Sequence, residues 1–128
     1  MTRPSPLSLL FIGLTIGLTV VGQLLVKKGM LAVGASPKQA SLIPLFVWKT
    51  LTNLDVVLGL ASAVVAAISW TIAISRSPLS FAYPFMGLAI VLVLALSGAL
   101  FGEVVPLGRW LGVGVVCVGL VIAARGGL

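Results

Sequence analysis

Long stretches without charge are the feature that most constrains what this chain can fold into. Pro4 to Val26, Val56 to Ser75 and Ser77 to Gly102 contain no Asp, Glu, Lys or Arg, and Val104 to Ala124 contains only Arg109. A helix rises about 1.5 Å per residue, so roughly 20 apolar residues cross a hydrocarbon core of about 30 Å. Each of the four stretches is therefore long enough to span a membrane.

Composition agrees with a membrane protein and argues against several other classes. The chain is 60% hydrophobic and 8% charged, whereas a soluble domain is about 45–50% apolar and about 25% charged. The net charge of +6 comes mostly from single Lys and Arg residues between apolar stretches, as at membrane helix ends, so we expect no nucleic-acid partner. With no His and two carboxylates, we expect no enzyme activity, metal or cofactor.

These stretches predict an all-α membrane protein, a four-helix transmembrane bundle that forms one domain over residues 1–128. The predicted helices cover about 7–32, 56–74, 79–101 and 107–124, and 33–55 is a long loop. The apolar loop patch Leu42 to Trp48 either lies at the headgroup level or forms a short helix resting on the bundle. Short second and third connections make sequential helices antiparallel neighbours, which places both termini on one side.

Orientation in the membrane depends on a nearly even distribution of positive charge. The side of the termini carries Arg3, Arg76 and Arg125, and the other side carries Lys38, Lys49 and Arg109. Lys27 and Lys28 break this tie and favour the first and third loops inside. A near tie is also expected of a protein that inserts both ways and pairs antiparallel, so the orientation stays open.

A row of polar side chains marks one face of the first predicted helix: Thr15, Thr19, Gln23 and Lys27 follow one another at intervals of four. Each step of four advances about 400°, so this polar row drifts only about 40° per step. Because a central lysine costs about 2.5–3.5 kcal/mol in the membrane, we expect the row to line the bundle interior or a wet cavity. Alternatively, Lys27 and Lys28 end the span by snorkelling and Gln23 forms an interhelical hydrogen bond.

Two further patterns concern how the spans pack. Pro84 cannot donate a hydrogen bond to the Ser80 carbonyl, and such a discontinuity marks either a packing kink or the binding region of a transporter. Glycines one turn apart predict close helix approach through small residues. These pairs are Gly13 and Gly17, Gly98 and Gly102, and Gly108 and Gly112.

Several short motifs in this order resemble the drug/metabolite transporter superfamily. They are Gly22-Gln23-x-x-x-Lys27, Phe81-Ala82-Tyr83-Pro84, Gly102-Glu103, and Gly112 and Gly119 seven residues apart. The short four-helix members, EamA-type subunits that flip aminoarabinose linked to undecaprenyl phosphate, have Glu-Pro-Val ahead of an Arg and a Trp. Here that segment reads Glu103-Val104-Val105-Pro106, followed by Arg109-Trp110. The resemblance covers most of the chain and excludes the loop 33–55.

The resemblance implies a flippase of the bacterial inner membrane that moves an anionic polyprenyl-phosphate-linked sugar, or a similar lipid, between leaflets. The polar row would carry the headgroup, Tyr83 would form a wall, and Lys27 or Arg76 would hold phosphate at an entrance. The related small multidrug resistance family has a membrane-embedded glutamate where this chain has Thr19. Proton-coupled drug efflux therefore loses its main support, and transport without a coupling group would be downhill.

The resemblance also implies a dimer, parallel or antiparallel, formed with a second copy or with a similar subunit. In the family Gly112 and Gly119 correspond to a dimer contact on the fourth helix, although from the residues alone they could equally pack within the chain. Glu103 and Arg109 flank the third connection, where they either pair with each other or order the turn; the alternative is direct contact with the substrate. The alternative functions are a small-molecule exporter of the small multidrug resistance type and a non-transporting membrane subunit that stabilises a partner.

Overall fold

The computed structural model describes residues 5–126, and within them it contains α-helices, one short 3-10 helix and no strand. The helices are α1 (Pro6–Val33), α2 (Ile43–Thr52), α3 (Leu54–Ser75), α4 (Leu79–Phe85), α5 (Gly87–Phe101) and α6 (Leu107–Arg125), with the 3-10 helix at Ala40–Leu42. Within these residues, four segments are long and apolar enough to cross a membrane. They are α1, α3, the pair α4 and α5 taken together, and α6. The all-α architecture with four spans is thus confirmed.

The first span begins and ends at residues suited to those positions. Ser5 accepts a hydrogen bond from the Ser8 backbone N–H at 3.1 Å, and Pro6 occupies the first turn, where a missing N–H costs nothing. Gly34 follows the helix at a φ of 96°, a conformation that favours glycine. At 28 residues, α1 is about 42 Å long and exceeds a hydrocarbon core of about 30 Å, so it either tilts in the membrane or extends beyond the core.

The segment between the first two spans is largely ordered into helix. Of the two interpretations of the patch Leu42 to Trp48, the structure shows the short helix, α2, which contacts α1 and α3. None of its residues is buried. Asn53 separates α2 from α3 and accepts a hydrogen bond from the Val56 N–H at 3.2 Å, which caps the second span.

The most intimate helix contact is the antiparallel packing of α1 on α3. A Cβ added to Gly59 would lie 2.7 Å from the Gly22 carbonyl oxygen, and one added to Gly22 would lie 2.9 Å from the Gly59 carbonyl oxygen. The Ser62 hydroxyl donates to the Leu18 carbonyl at 2.7 Å, across the same interface. The two backbones therefore touch, as small residues permit in membrane proteins.

The third span is interrupted at Met86, two residues after Pro84. The Met86 N–H donates to the Tyr83 carbonyl at 3.0 Å, and the Ala89 N–H donates to the Met86 carbonyl at 3.0 Å. These are three-residue bonds, tighter than those of an α-helix. The discontinuity expected from Pro84 is therefore present, and it divides the span into α4 and α5.

The last span lies on the outside of the bundle. Helix α6 packs on α4 and α5, where Leu120 fills the space beside Gly87. None of the residues of α6 is buried. A single copy of the chain therefore leaves most of this span uncovered.

The glycine pairs one turn apart do not make the close contacts within the chain that their spacing predicts. A Cβ added to either Gly13 or Gly17 would meet no atom of the described residues within 4 Å, and the same holds for Gly108. One added to Gly98 would make only ordinary van der Waals contact with the Glu103 carbonyl oxygen, at 3.5 Å. Close approaches occur instead where glycines face a neighbouring helix, at Gly22, Gly29, Gly59 and Gly87.

Candidate functional site

The polar row of α1 borders a cavity between α1, α3 and α4, here called the α1–α3 cavity. Its volume is about 440 Å³. Thr15, Thr19 and Gln23 line one wall, and Trp70 and Tyr83 lie among the residues opposite. Most of the remaining lining is glycine, alanine or aliphatic. Polar groups are thus concentrated on the α1 side of an otherwise apolar cavity.

A second cavity, the α1–α5 cavity, lies on the other side of the same row and has a volume of about 570 Å³. Thr19, Gln23 and Lys27 line it from α1, and Ser97 and Glu103 line it from α5 and the segment that follows. Thr19 and Gln23 border both cavities. The two cavities therefore adjoin along the middle of the polar row.

Hydrogen bonding differs along the row. Thr15 is 3% exposed, and its hydroxyl donates to the Phe11 carbonyl one turn earlier, at 2.7 Å. Thr19 is half-buried and Gln23 is exposed. Neither of these two side chains forms a hydrogen bond with another residue in the range 5–126. The structure therefore does not show the interhelical hydrogen bond considered for Gln23, whose amide faces the cavities without a protein partner in that range.

Ion pairs tie both lysines of α1 to neighbouring segments. The Lys27 Nζ lies 3.5 Å from Glu103 Oε1, and the Lys28 Nζ lies 3.8 Å from Asp55 Oδ1. The Lys27 pair borders the α1–α5 cavity. Mutual pairing of Glu103 and Arg109, one of the arrangements expected from the sequence, is not seen within residues 5–126, because Glu103 pairs with Lys27 instead.

Gly102 explains how Glu103 reaches α1. It follows α5 at a φ of 64° and a ψ of 20°, the left-handed conformation that commonly ends a helix at glycine. The chain then runs without regular structure to Pro106, before α6 begins at Leu107. The turn therefore carries Glu103 beside α1, whereas Arg109 lies exposed in the first turn of α6.

Two aromatic rings form one wall of the α1–α3 cavity. The Trp70 and Tyr83 ring centroids are 5.8 Å apart and the ring planes meet at 77°, an edge-to-face arrangement. Tyr83 is expected from its motif, but the sequence pattern does not single out Trp70. A signal does exist, because Ala63, Ala66, Ala67 and Trp70 recur at helical spacing on α3 and all line this cavity.

The two cations expected to hold phosphate lie at opposite ends of the bundle. Because α1 and α3 are antiparallel, Lys27 near the end of α1 is close to the start of α3. Arg76 directly follows α3, is exposed, and lines neither of the two cavities that border the polar row. Lys27 and Arg76 therefore do not form one site.

Gly112 and Gly119 lie on a face of α6 that nothing in the described chain covers. A Cβ added to either glycine would find no atom of residues 5–126 within 4 Å. Packing within the chain, which the residues alone left as an alternative, is therefore not seen at these positions. Their heptad spacing places both glycines on one outward-facing side of α6.

Four apolar spans within residues 5–126 define a multi-pass membrane protein, and a polar row that borders cavities is an arrangement that suits a transporter. No family model matches the chain, and no solved structure is significantly similar to it. Curated relatives nevertheless show that it belongs to the family of 4-amino-4-deoxy-L-arabinose-phosphoundecaprenol flippase subunits.

Three relatives are each named a probable 4-amino-4-deoxy-L-arabinose-phosphoundecaprenol flippase subunit ArnE. The one from Hamiltonella defensa is 33% identical over 94% of this chain and 96% of its own length. The one from Aeromonas hydrophila is 30% identical over 82% of this chain and 86% of its own length. The one from Aeromonas salmonicida is 28% identical over the same shares. The relatives are thus named as parts of transporters and not as enzymes.

Proposed function

We propose that the chain is one subunit of a bacterial inner-membrane flippase for a polyprenyl-phosphate-linked aminosugar, of the kind named for its relatives. The observation that carries this proposal is the position of Thr19 and Gln23, which border both cavities. A hydrated headgroup needs hydrogen-bonding partners throughout its passage, because each unsatisfied polar group costs several kcal/mol in the hydrocarbon core. The polar row supplies such partners in an otherwise apolar bundle.

The length of the row suits a passage across most of the core. Twelve residues separate Thr15 from Lys27, which corresponds to about 18 Å of helix. Trp70 and Tyr83 line the α1–α3 cavity together with Thr15, and Lys27 lies at the other end of the row. The headgroup moves along the row, while the polyprenyl tail stays in the lipid outside.

Cations at both ends of the bundle suit a phosphate that arrives on one side and leaves on the other. Lys27 binds the phosphate at one end through charge-assisted hydrogen bonds, and Arg76 attracts it at the opposite end. The row contains no carboxylate, so no group is present in it to couple transport to protons as a membrane-embedded acid does. Transport is therefore downhill.

A second subunit completes the transporter in this proposal. The outward face of α6, with Gly112 and Gly119, meets either another copy or a similar subunit, in parallel or antiparallel orientation. The relatives are named subunits, which supports an assembly over a single copy. Glu103 and Arg109 order the third connection, with Glu103 acting through its ion pair to α1.

Lipid scrambling in vesicles tests the proposal. The full chain, alone and together with a similar subunit from the same cell, is reconstituted with a fluorescent polyprenyl phosphate aminosugar, and the flipped fraction is read by quenching the outer leaflet. We expect scrambling, and we expect Lys27→Ala to slow it about tenfold, since a charge-assisted hydrogen bond contributes about 1.5–3 kcal/mol.

Lys28→Ala is the matched control, because Lys28 is adjacent to Lys27 but lines neither cavity that borders the polar row. It should scramble at the wild-type rate. Normal scrambling by Lys27→Ala would remove Lys27 from the pathway. No scrambling by the assembled subunits, or accumulation of a water-soluble compound instead, would overturn the flippase.

A further inference from the structure

The chain has only two carboxylates, and the structure gives them different surroundings. Asp55 pairs with Lys28 and lines neither cavity that borders the polar row. Glu103 lines the α1–α5 cavity, together with Lys27, Gln23 and Ser97. Within residues 5–126, a cationic group that enters either cavity can therefore meet only one carboxylate, the one already paired with Lys27.

The Lys27–Glu103 pair is placed and exposed so that a ligand can separate it. The two side chains are 48% and 43% exposed, and the nitrogen and oxygen are 3.5 Å apart, which is long for a charge-assisted hydrogen bond. Exposed pairs of this kind contribute little to stability. An incoming ligand that carries both a cation and an anion can therefore replace each partner without leaving a charge unmatched.

We propose that the Lys27–Glu103 pair recognises a zwitterionic headgroup, in which Glu103 binds the protonated amine and Lys27 binds the phosphate. This inference rests on the proposed flippase function and specifies which side chains recognise the headgroup of its substrate. Binding exchanges one internal ion pair for two pairs with the ligand, so the charge of the site stays balanced. Gln23 lies one helical turn before Lys27, lines the same cavity and has no protein partner among the described residues, so in this proposal its amide binds the sugar hydroxyls.

The exchange discriminates against sugars that lack an amine. When a neutral sugar phosphate draws Lys27 away, Glu103 loses its partner and gains no cation. The neutral sugar therefore forms one ion pair in place of the one it breaks, whereas the aminosugar forms two, and this difference in favourable contacts discriminates between the two ligands. The aminosugar lipid should therefore be transported faster than the same lipid with its amine acetylated.

Paired transport assays with these two lipids test the inference on the full chain assembled with its partner subunit. We expect the wild type to favour the free amine. Glu103→Gln should abolish that preference by slowing the aminosugar lipid about tenfold and leaving the acetylated lipid unchanged. Lys27→Ala should slow both lipids, since both carry phosphate, and Glu103→Asp should retain the preference.

Asp55→Asn is the matched control, since it removes the other lysine–carboxylate pair of α1 and should alter neither rate. Thermal unfolding of each variant in detergent checks that the protein is folded. Equal slowing of both lipids by Glu103→Gln would show that the pair only holds α1 to the segment after α5, and no slowing of either would remove Glu103 from recognition. Both results overturn this inference but leave the proposed flippase function standing. A wild type that moves neither lipid overturns both the inference and the proposed function.

Discussion

At the scale of single residues, the contact between α1 and α3 depends on two glycines, which have no side chain to keep the helices apart. Gly22 and Gly59 place backbone against backbone, and the Val26 N–H lies 2.9 Å from the position of a Cβ on Gly59. Backbone atoms of two packed helices cannot turn aside as the end of a flexible side chain can. Added atoms at this crossing must therefore separate the helices that bear the polar row and the wall facing it.

Gly59→Ala should lower the free energy of unfolding by about 1–3 kcal/mol, the usual cost of overpacking. Unfolding in mixed detergent micelles measures this loss. Gly17→Ala is the control, because no atom of the described residues lies within 4 Å of its added Cβ, and it should be neutral or stabilising. Equal stability of the two variants would contradict the close packing of Gly22 on Gly59.

At the residue level, sequence is most informative where one helix carries the whole pattern. Thr15, Thr19 and Gln23 recur every four residues on one helix, so their common face follows from helix geometry alone, and the structure places them together along the α1–α3 cavity. The Lys27–Glu103 pair could not be predicted in this way, because it joins residues 76 positions apart in the sequence. Such a contact depends on the turn at Gly102 and on which helices become neighbours.

At the scale of elements, α6 differs from the other spans. Helices α1, α3, α4 and α5 each bury residues within the bundle, whereas α6 buries none. The Gly-x-x-x-Gly spacing of Gly108 and Gly112 indicates a surface that another helix can approach closely. It does not indicate whether that helix belongs to the same chain, and here no described residue approaches it.

Gly112→Leu combined with Gly119→Leu should weaken assembly without reducing the stability of the single chain, since both side chains would project into open space. Energy transfer between labelled subunits in vesicles measures the association, and we expect it to fall at least severalfold. Val118→Leu is the control, because Val118 is exposed but lies roughly 100° around the helix from Gly119. Unchanged energy transfer in the double variant would exclude this face from the subunit interface.

At the scale of the whole molecule, the number of spans fixes which segments share a side of the membrane. Four antiparallel spans place residues 5 and 126 on one side and the 33–55 segment on the other. This much was predictable, because four stretches without charge leave few alternatives. The helix α2 inside that segment stayed open at the sequence level, since a short apolar patch fits a membrane surface as well as a bundle surface.

Cysteine labelling should reveal that arrangement. In a Cys117→Ser background, Ser36→Cys should react with an impermeant maleimide only from the cytoplasmic side, and Gly126→Cys only from the opposite side. This direction is the one predicted by the excess of positive charge near the 33–55 segment once Lys27 and Lys28 are counted. Reaction of both cysteines from one side would contradict the four spans, and reaction of each from both sides would show dual insertion.

The peripheral position of α6 has a consequence for how proteins of this kind diversify. Mutations in the first three spans must preserve the packing of a single copy. Mutations on the outward surface of α6 do not disturb that packing. After a gene duplication, mutations there can accumulate in each daughter without unfolding it. We expect each daughter subunit to come to pair exclusively with the other, chiefly through changes on this surface, while the polar row of α1 is retained.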